Sequence, residues 1–270
     1  MEVVIKKYIM EQFRLKILVE SRIRWKVYVR FGGEYLETYH SNMTRRWVLS
    51  LRYNVAVVDC DYPQHSISAM RKRDAEQVNG DDYYKRLAFH QFKTLGKKAY
   101  PVLCSSPDEA IKTADEFLAS AGSDYDVVFF DLPGTVNSEG VINSLSGVDY
   151  IFTPIAADRV VLESSLSFAV AIHKLLVKNE ACRLKGLHLF WNMVDGREKT
   201  DLYTLYEQTI GELELPLMKV FIPDTKRFKK ELDAQRKTVF RSTLFPADKR
   251  LVKGSNMEEL ITEIAYLIKL

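Results

Sequence analysis

The sequence has few of the residues that cross-link small folds or separate domains. Its 270 residues include only three cysteines, Cys60, Cys104 and Cys182, which are far apart and form no CxxC pair. An odd number of widely spaced thiols argues against a disulfide framework or a zinc site and is typical of a reducing compartment. No Gly/Ser linker, low-complexity tract or internal repeat is present. We therefore expect a cytoplasmic globular protein.

Long apolar segments are also lacking. We find no run of apolar residues that approaches the roughly 18 needed to span a membrane. The basic N-terminus has neither a secretory apolar stretch nor a small-residue cleavage site. We therefore predict neither a membrane span nor a secretory leader. The length allows one large α/β domain or two small ones.

The first 52 residues differ in composition from the rest. Alanine, aspartate and proline are absent before Ala56, although all three are common in ordinary domains. This segment carries 11 Lys and Arg against 5 Asp and Glu, whereas the remainder carries 28 against 31. A basic arm for nucleic acid and a solvated basic face are two explanations, and disorder of this segment is also open.

From Asn54 onward, short apolar runs alternate with amphipathic helical patterns. Strands are predicted at Val55–Asp59, Tyr100–Cys104, Asp126–Asp131, Tyr150–Thr153, Leu187–Trp191 and Leu217–Ile222. A serine cap, a proline and a glutamate at Ser106–Glu109 predict the start of a helix. Continuous apolar strands that alternate with helices indicate a parallel sheet covered on both faces. The predicted fold class is α/β with a doubly wound, mainly parallel sheet.

Polar residues follow three of these strands. Asp59 and Asp61 come after the first buried run, Asp131 ends another, and Asn192 follows a third. Ligands of parallel α/β sheets bind beyond the carboxyl ends of the strands, and Pro223 also falls there. Acids at that edge suit a metal-bound phosphate and a positioned water, and an amide could contact a base. The alternative is that each aspartate caps a turn or a helix and that Asn192 forms an Asx turn.

Taken in order, these segments resemble the ParA/MinD family of deviant-Walker ATPases, and within it the ParA-like proteins of conjugative transposons. Five segments carry the resemblance: DCDYPQ at 59–64, YDVVFFDLPG at 125–134, IFTP at 151–154, WNMVDGR at 191–197 and FIPD at 221–224. The first is similar to the family's DxDPQ segment, with Tyr62 as an extra residue. The second is similar to its Walker B strand. The resemblance covers residues 53–270.

The resemblance implies a P-loop NTPase fold, ATP and Mg²⁺ as cofactors, and a homodimer switched by ATP. It implies that Asp61 orients the attacking water and that Asp59 and Asp131 hold Mg²⁺. It further implies that Asn192 and Pro223 border the adenine and that Gln64 belongs to the nucleotide site. DNA, or an adaptor protein of conjugation or partition, is the implied partner.

The phosphate-binding loop of this family, KGGxGK[ST], is absent from the sequence. Such a loop presents backbone N–H groups to phosphate. Gly32 and Gly33 are followed by Glu34, and a carboxylate would repel phosphate. The pair Lys97 and Lys98 after Gly96 lacks the hydroxyl residue and follows a helical pattern. We therefore expect this chain to bind ATP poorly, and to lack the family's first strand, which would leave two sheet edges unpaired.

A change of reading frame is one explanation of this N-terminus. The codons of Arg24–Tyr28, read one nucleotide later, permit Val-Gly-Lys-Ser-Thr, with glycine forced at the Trp25 codon. The same frame does not permit both expected glycines upstream, and it meets a stop at the Met43 codon. A family member that lost nucleotide binding and a true basic arm remain the alternatives.

The predicted organisation is an atypical basic segment at 1–52, in place of the first strand and phosphate loop, and a ParA/MinD-like ATPase domain at 53–270. The predicted function is an ATP-dependent dimerisation switch in DNA partition or conjugative transfer, impaired in this chain. The alternative is a non-enzymatic adaptor or DNA-binding protein that keeps the fold.

Overall fold

A computed structural model describes residues 23–29, 53–122, 124–133, 139–177, 183–197, 200–233, 235 and 238–270, with the backbone alone at 23–29, 139 and 200. The strands are β1 (Ile23–Val29), β2 (Val55–Asp59), β3 (Val102–Cys104), β4 (Tyr125–Asp131), β5 (Tyr150–Ile155) and β6 (Gly186–Trp191). The helices are α1 (Ser66–Gly80), α2 (Asp82–Leu95), α3 (Ala110–Ser120), α4 (Glu139–Ser146), α5 (Arg159–Ile172), α6 (Thr200–Glu212), α7 (Lys249–Val252) and α8 (Met257–Leu267). A π-helical turn, His173–Val177, extends α5, and a 3₁₀ turn spans Lys226–Lys229.

The strands form one six-stranded sheet in the order β3-β2-β4-β1-β5-β6. Every neighbouring pair is parallel. The crossovers from β2 to β3, β3 to β4, β4 to β5 and β5 to β6 each carry at least one helix, as parallel pairing requires. The predicted doubly wound parallel α/β fold is therefore confirmed.

The N-terminal segment contributes a strand, contrary to our expectation. β1 pairs with β4 from Ile23↔Tyr125 onward and with β5 from Val27↔Tyr150 onward, so it lies inside the sheet. The expected loss of the first strand, with two unpaired sheet edges, is wrong. The physical reason is local: β-branched and aromatic residues crowd this stretch, IRWKVYV, and they favour extended backbone. The rest of 1–52, including Gly32 and Gly33, lies outside the described residues.

Alternate residues of the central strands face two separate cores. On β4, Val128 and Phe130 pack with α3, α4 and α5 on one side of the sheet. Val127 and Phe129 pack with α1 and α8 on the other. Because side chains alternate between faces along a strand, both faces of such a strand must be apolar when helices cover each side. That requirement explains the continuous run VVFF.

Two predicted elements differ from the structure. The segment 217–222 forms isolated parallel bridges, Leu189↔Leu217 and Val194↔Pro223 at its two ends, instead of a regular strand. The helix predicted to start at Ser106 begins at Ala110, and its N-cap Glu109 makes no side-chain capping bond. The hydroxyls of Ser105 and Thr113 lie 2.8 Å apart, so a side-chain hydrogen bond joins the helix to the residues that precede it.

One helix overturns the expectation about apolar runs. Arg159–Val177 has 19 residues and a mean hydropathy of 1.7, which makes it long and apolar enough to cross a membrane by length and composition alone. A third of the 18-residue window that meets this test is buried within the fold. Its buried residues, among them Phe168, Ala169 and Ile172, pack in the core beneath the sheet. One face of this helix thus packs in the core of the fold.

The two-faced core predicts a large difference between two phenylalanines. Phe130 on β4 is fully buried, whereas Phe89 on α2 is 65% exposed. Phe130→Ala should lower the free energy of unfolding by about 3–5 kcal/mol, because it removes buried area and leaves a cavity. The matched change Phe89→Ala should cost less than about 0.5 kcal/mol. Urea denaturation followed by circular dichroism measures both, and equal losses would contradict the assigned core.

Candidate functional site

The two strand-end aspartates lie side by side. Asp59 ends β2, Asp131 ends β4, and the two are register partners on adjacent parallel strands, so their Cα atoms are about 4.8 Å apart. Both carboxylates are almost completely buried. The structure thus brings together the two residues predicted to hold a metal ion.

The pair lies next to the switch point of the sheet. From β1 the chain proceeds to β2, on one side, and from β4 it proceeds to β5, on the other side. Neighbouring strands whose connections depart in opposite directions leave a crevice beyond their carboxyl ends, where open α/β sheets bind ligands. Asp131 therefore borders the crevice, and Asp59 lies one strand further.

Asp59 is held by the polypeptide itself. The backbone amide of Ser68, in the first turn of α1, donates a hydrogen bond to Asp59 Oδ2 over 2.8 Å. The amide of Asp61 makes a longer bond to Oδ1 over 3.4 Å. The helix has no cap of its own, since the side chain of its N-cap residue His65 makes no capping bond. Asp59 therefore caps α1 from a distance, and the carboxylate suits the positive end of the helix dipole.

Cys60 lies between the two aspartates and is buried. Its backbone amide donates to the carbonyl of Asp131 over 2.8 Å, which ties the two strand ends together. Burial raises the pKa of the Cys60 thiol above its usual range, and the neighbouring carboxylates of Asp131 and Asp59 raise it further. The thiol therefore stays protonated and acts as a packing residue, not as a nucleophile.

The acidic turn, residues 59–65 between β2 and α1, carries the other predicted residues of this segment. Asp61 is partly buried, and the hydroxyl of Ser66 donates to its Oδ2 over 3.3 Å. The carbonyl of Asp61 accepts a hydrogen bond from the amide of His65 over 2.7 Å, and this bond closes the turn. Gln64 is exposed on the turn. The structure places Asp61 near the aspartate pair, whereas Gln64 faces solvent.

Asn192 and Pro223 come together at the other side of β1. The amide of buried Asn192 donates to the carbonyl of Ile155, and Ile222 bonds to Trp191, each over 2.8 Å. Val194 and Pro223 then form a parallel bridge. Three strand spacings, roughly 14 Å, separate this corner from Asp131. The predicted nucleobase residues and the predicted metal residues thus flank the end of β1 from opposite sides.

Asp195 and Arg197 form an ion pair at that corner. Arg197 donates from its side chain to both carboxylate oxygens, at 2.9 and 2.7 Å, and from its backbone amide at 2.9 Å. These bonds lower the pKa of Asp195 to about 2. The charge of Arg197 is therefore already balanced by a carboxylate.

The described residues fit a metal ion better than they fit phosphate. Asp59 and Asp131 offer the hard oxygen donors that Mg²⁺ prefers, and Mg²⁺ commonly binds through one or two carboxylates while it retains water. Within the described ranges, no three His, Cys, Asp or Glu side chains gather closely enough to bind a metal ion unaided. The segment after β1, where the resemblance to the family places a phosphate loop, lies outside those ranges.

Sequence reasoning missed the role of Ser68. Its amide reaches Asp59 across nine positions, and a backbone donor leaves no mark on residue type. The available signal was indirect: the aspartate at the end of β2 is followed by a helix whose preceding residue, His65, is a poor cap.

Comparison with known proteins gives structural neighbours only. No protein-family model and no curated protein sequence matches the chain. A plasmid partition protein from Borrelia burgdorferi B31 solved with AMPPNP is 17% identical, with a TM-score of 0.57, over 91% of this chain and 99% of that one. A second plasmid partition structure from that species is 15% identical, with a TM-score of 0.54, over 91% and 99%.

The MinC:MinD cell division complex of Aquifex aeolicus is more distant. It is 12% identical with a TM-score of 0.50, and the match covers 75% of this chain and 83% of that one. Identities this low show the fold alone. The chain therefore shares the parallel α/β fold of these plasmid partition and cell division proteins.

Proposed function

We propose that this chain descends from an ATP-dependent dimerisation switch of the ParA type, acting in DNA partition or conjugative transfer. The observation that carries the proposal is the placement of Asp59 and Asp131 on neighbouring strand ends beside the switch point of the sheet. The motifs most resemble the ParA-like protein TraA of conjugative transposons. A cytoplasmic homodimer that engages DNA or an adaptor protein is the form we propose.

Each predicted residue has a role in this proposal. Asp131 and Asp59 hold Mg²⁺ directly or through water, and Asp61 orients the attacking water. Asn192 and Pro223 border the adenine from the far side of β1, and Gln64 contributes from the acidic turn once a nucleotide or a second subunit covers it. When bound, Mg²⁺-ATP would supply the phosphate and metal charges that both subunits contact.

The proposed impairment of this chain lies in its binding of the ATP phosphates. β1 ends at Val29, so Gly32 and Gly33 follow the strand where a phosphate loop begins. Glu34 comes next and brings negative charge to that position. No lysine or hydroxyl residue follows at GK[ST] spacing. We therefore propose that ATP binds weakly or not at all until this stretch is corrected.

The change of reading frame remains one proposed origin of the impairment. It assigns the codons of Arg24–Tyr28 to a phosphate loop, whereas the chain as written forms β1 there. Sequencing the coding DNA together with a homologous locus tests it. An intact frame at both loci, with no GK[ST] in another frame, would rule it out.

A second function, a non-enzymatic DNA-binding protein or adaptor, has one observation in its favour. Exposed lysines cluster near the carboxyl end of the chain: Lys226, Lys229, Lys230, Lys249 and Lys253. Two interactions join their segments. Arg227 Nη1 donates to the carbonyl of Lys253. The pKa of Asp248 is lowered mainly by its side-chain hydrogen bond from Arg250, and the charge of Lys230 lowers it further. Such a basic surface suits phosphates of nucleic acid.

We predict that rebuilding the loop restores nucleotide binding. The variant Glu34→Val, Tyr35→Gly, Leu36→Lys, Glu37→Thr places GGVGKT three residues after β1. It should bind Mg²⁺-ATP at least about 100-fold more tightly than the natural chain, because charge-assisted phosphate contacts are regained. Titration calorimetry measures both. Equal affinity of the two chains would contradict the proposed phosphate position.

A second prediction distinguishes the loss of a metal-binding carboxylate from the loss of a negative charge elsewhere. In the rebuilt chain, Asp131→Asn should weaken Mg²⁺-ATP binding about 10-fold or more, since it removes a carboxylate beside the metal. Asp124→Asn alters an exposed acid just before β4, at the opposite edge of the sheet, and should leave the affinity unchanged. Equal effects of the two variants would assign the loss to net charge.

Turnover provides a third prediction. Phosphate release by the rebuilt chain should fall about 100-fold or more in Asp61→Ala, because a positioned water-orienting group contributes about that factor. Nucleotide affinity should change little. If the rebuilt chain binds Mg²⁺-ATP without measurable turnover, the non-enzymatic function is favoured.

DNA binding gives a fourth prediction, measured with a fluorescent duplex at several salt concentrations. Changing Lys226, Lys229 and Lys230 to alanine should reduce the slope of log affinity against log salt by about 2–3. The matched control replaces Lys6, Lys7 and Lys16, which precede β1 in the basic N-terminal segment. Deleting 1–52 is unsuitable because it removes β1. A slope lowered by the control alone would assign DNA to the N-terminal segment.

A further inference from the structure

We infer that Asp74 is a positioning residue for the acidic turn, because it anchors α1 to the segment 239–247 and α1 in turn holds Asp59. The functional meaning of this link rests on the roles proposed for Asp59 and Asp61. The link itself consists of contacts within the chain.

Asp74 joins α1 to a part of the chain some 170 positions away. Its side chain is buried, with 5% exposed, and one oxygen, Oδ2, accepts three hydrogen bonds. The donors are the hydroxyl of Ser242 at 3.0 Å, the amide of Thr243 at 2.6 Å and the hydroxyl of Thr243 at 2.7 Å. Bonds to a carboxylate are the strong class of hydrogen bond, and burial leaves water little chance to replace them.

Arg71 fixes the same helix one turn earlier. Its Nη2 donates to the carbonyls of Tyr100 and Thr243, both at 3.0 Å, and its guanidinium lies 4.8 Å from the centre of the Tyr100 ring. The helix is therefore tied to the chain entering β3 and to the C-terminal segment together. Thr243 thus bonds to both side chains of α1: it donates to Asp74 through its amide and hydroxyl and accepts from Arg71 through its carbonyl.

The segment 239–247 also grips α2. Gln91 Nε2 donates to the carbonyl of Leu244 over 3.1 Å, and the rings of Tyr84 and Phe245 are 5.9 Å apart. Asp74 thus belongs to a surface that holds the hairpin of α1 and α2 as a unit.

At its other end, α1 supports the acidic turn. Ser68 precedes Asp74 by six residues, about 9 Å along the helix. Because no local side chain caps α1, the bond from the Ser68 amide to Asp59 depends on where the helix is held. Hydrogen bonds weaken steeply with distance and angle, so a small shift of α1 releases Asp59. Segment 239–247 therefore sets the position of the acidic turn.

The test is hydrogen exchange of the natural chain without nucleotide, with peptides covering 59–68 and β5 resolved by mass spectrometry. Asp74→Ala should speed exchange in 59–68 by about ten-fold or more relative to β5, the ratio expected when a bond to a charged group is lost. Asp74→Asn keeps an acceptor oxygen and should give about a three-fold increase, which preserves the test if the alanine variant does not fold. Adding Thr243→Val to Asp74→Ala should cause no further change, because both disrupt one linkage.

Asp149 is the matched control. It is also buried, lies just before β5, and binds Arg183 and Lys185 away from α1. Because Asp149 adjoins β5, the control is read from 59–68 itself, where Asp149→Asn should leave exchange at its natural rate. A 59–68 to β5 ratio that keeps its natural value in both Asp74 variants, or exchange of 59–68 that rises as much in Asp149→Asn, would overturn the inference. Mg²⁺-ATP added to the rebuilt chain is a separate measurement: no change there would reject the proposed function while the nucleotide-free result still decides the role of Asp74.

Discussion

Pairing of β1 on both sides is the constraint on which the rest of the structure depends. It joins β4 to β5, and with them the two halves of the sheet, β3-β2-β4 and β5-β6. Only with β1 in place do the aspartate pair and the Asn192 corner lie at fixed positions across one crevice. The strand contributes this order through its backbone, and so it tolerates an unusual composition as long as extended structure is favoured.

The carboxylate of Asp59 in the candidate site is held in place by other parts of the chain. Asp59 is held by α1, α1 is held by Asp74 and Arg71, and those bond to the chain around Thr243. The acidic turn therefore lies between the sheet and a C-terminal segment distant in sequence. A change in the sheet or in the C-terminal segment would therefore alter the position of the Asp59 carboxylate.

Much of the fold followed from the sequence because its signals are local. Runs such as VAVVD and VVFFD can satisfy both faces of a sheet only in a buried parallel strand. The sequence therefore predicted β2 with its observed bounds and β4 to within one residue. β1 was missed because its charged residues, Arg24 and Lys26, hide the pattern of a buried strand. The cap on α1 and the anchor at Asp74 could not be predicted, since both depend on contacts between distant backbone positions.

The cap that Asp59 provides has a consequence for interpreting degenerate relatives. A carboxylate that caps the start of a helix is retained by selection for stability, whether or not a metal ion ever binds it. A lineage could thus lose its phosphate loop and still keep the first aspartate of the DxD motif for a long time. In proteins of this shape, the acidic motif reports an intact scaffold, and the residues after the first strand are the better record of whether the chemistry survives.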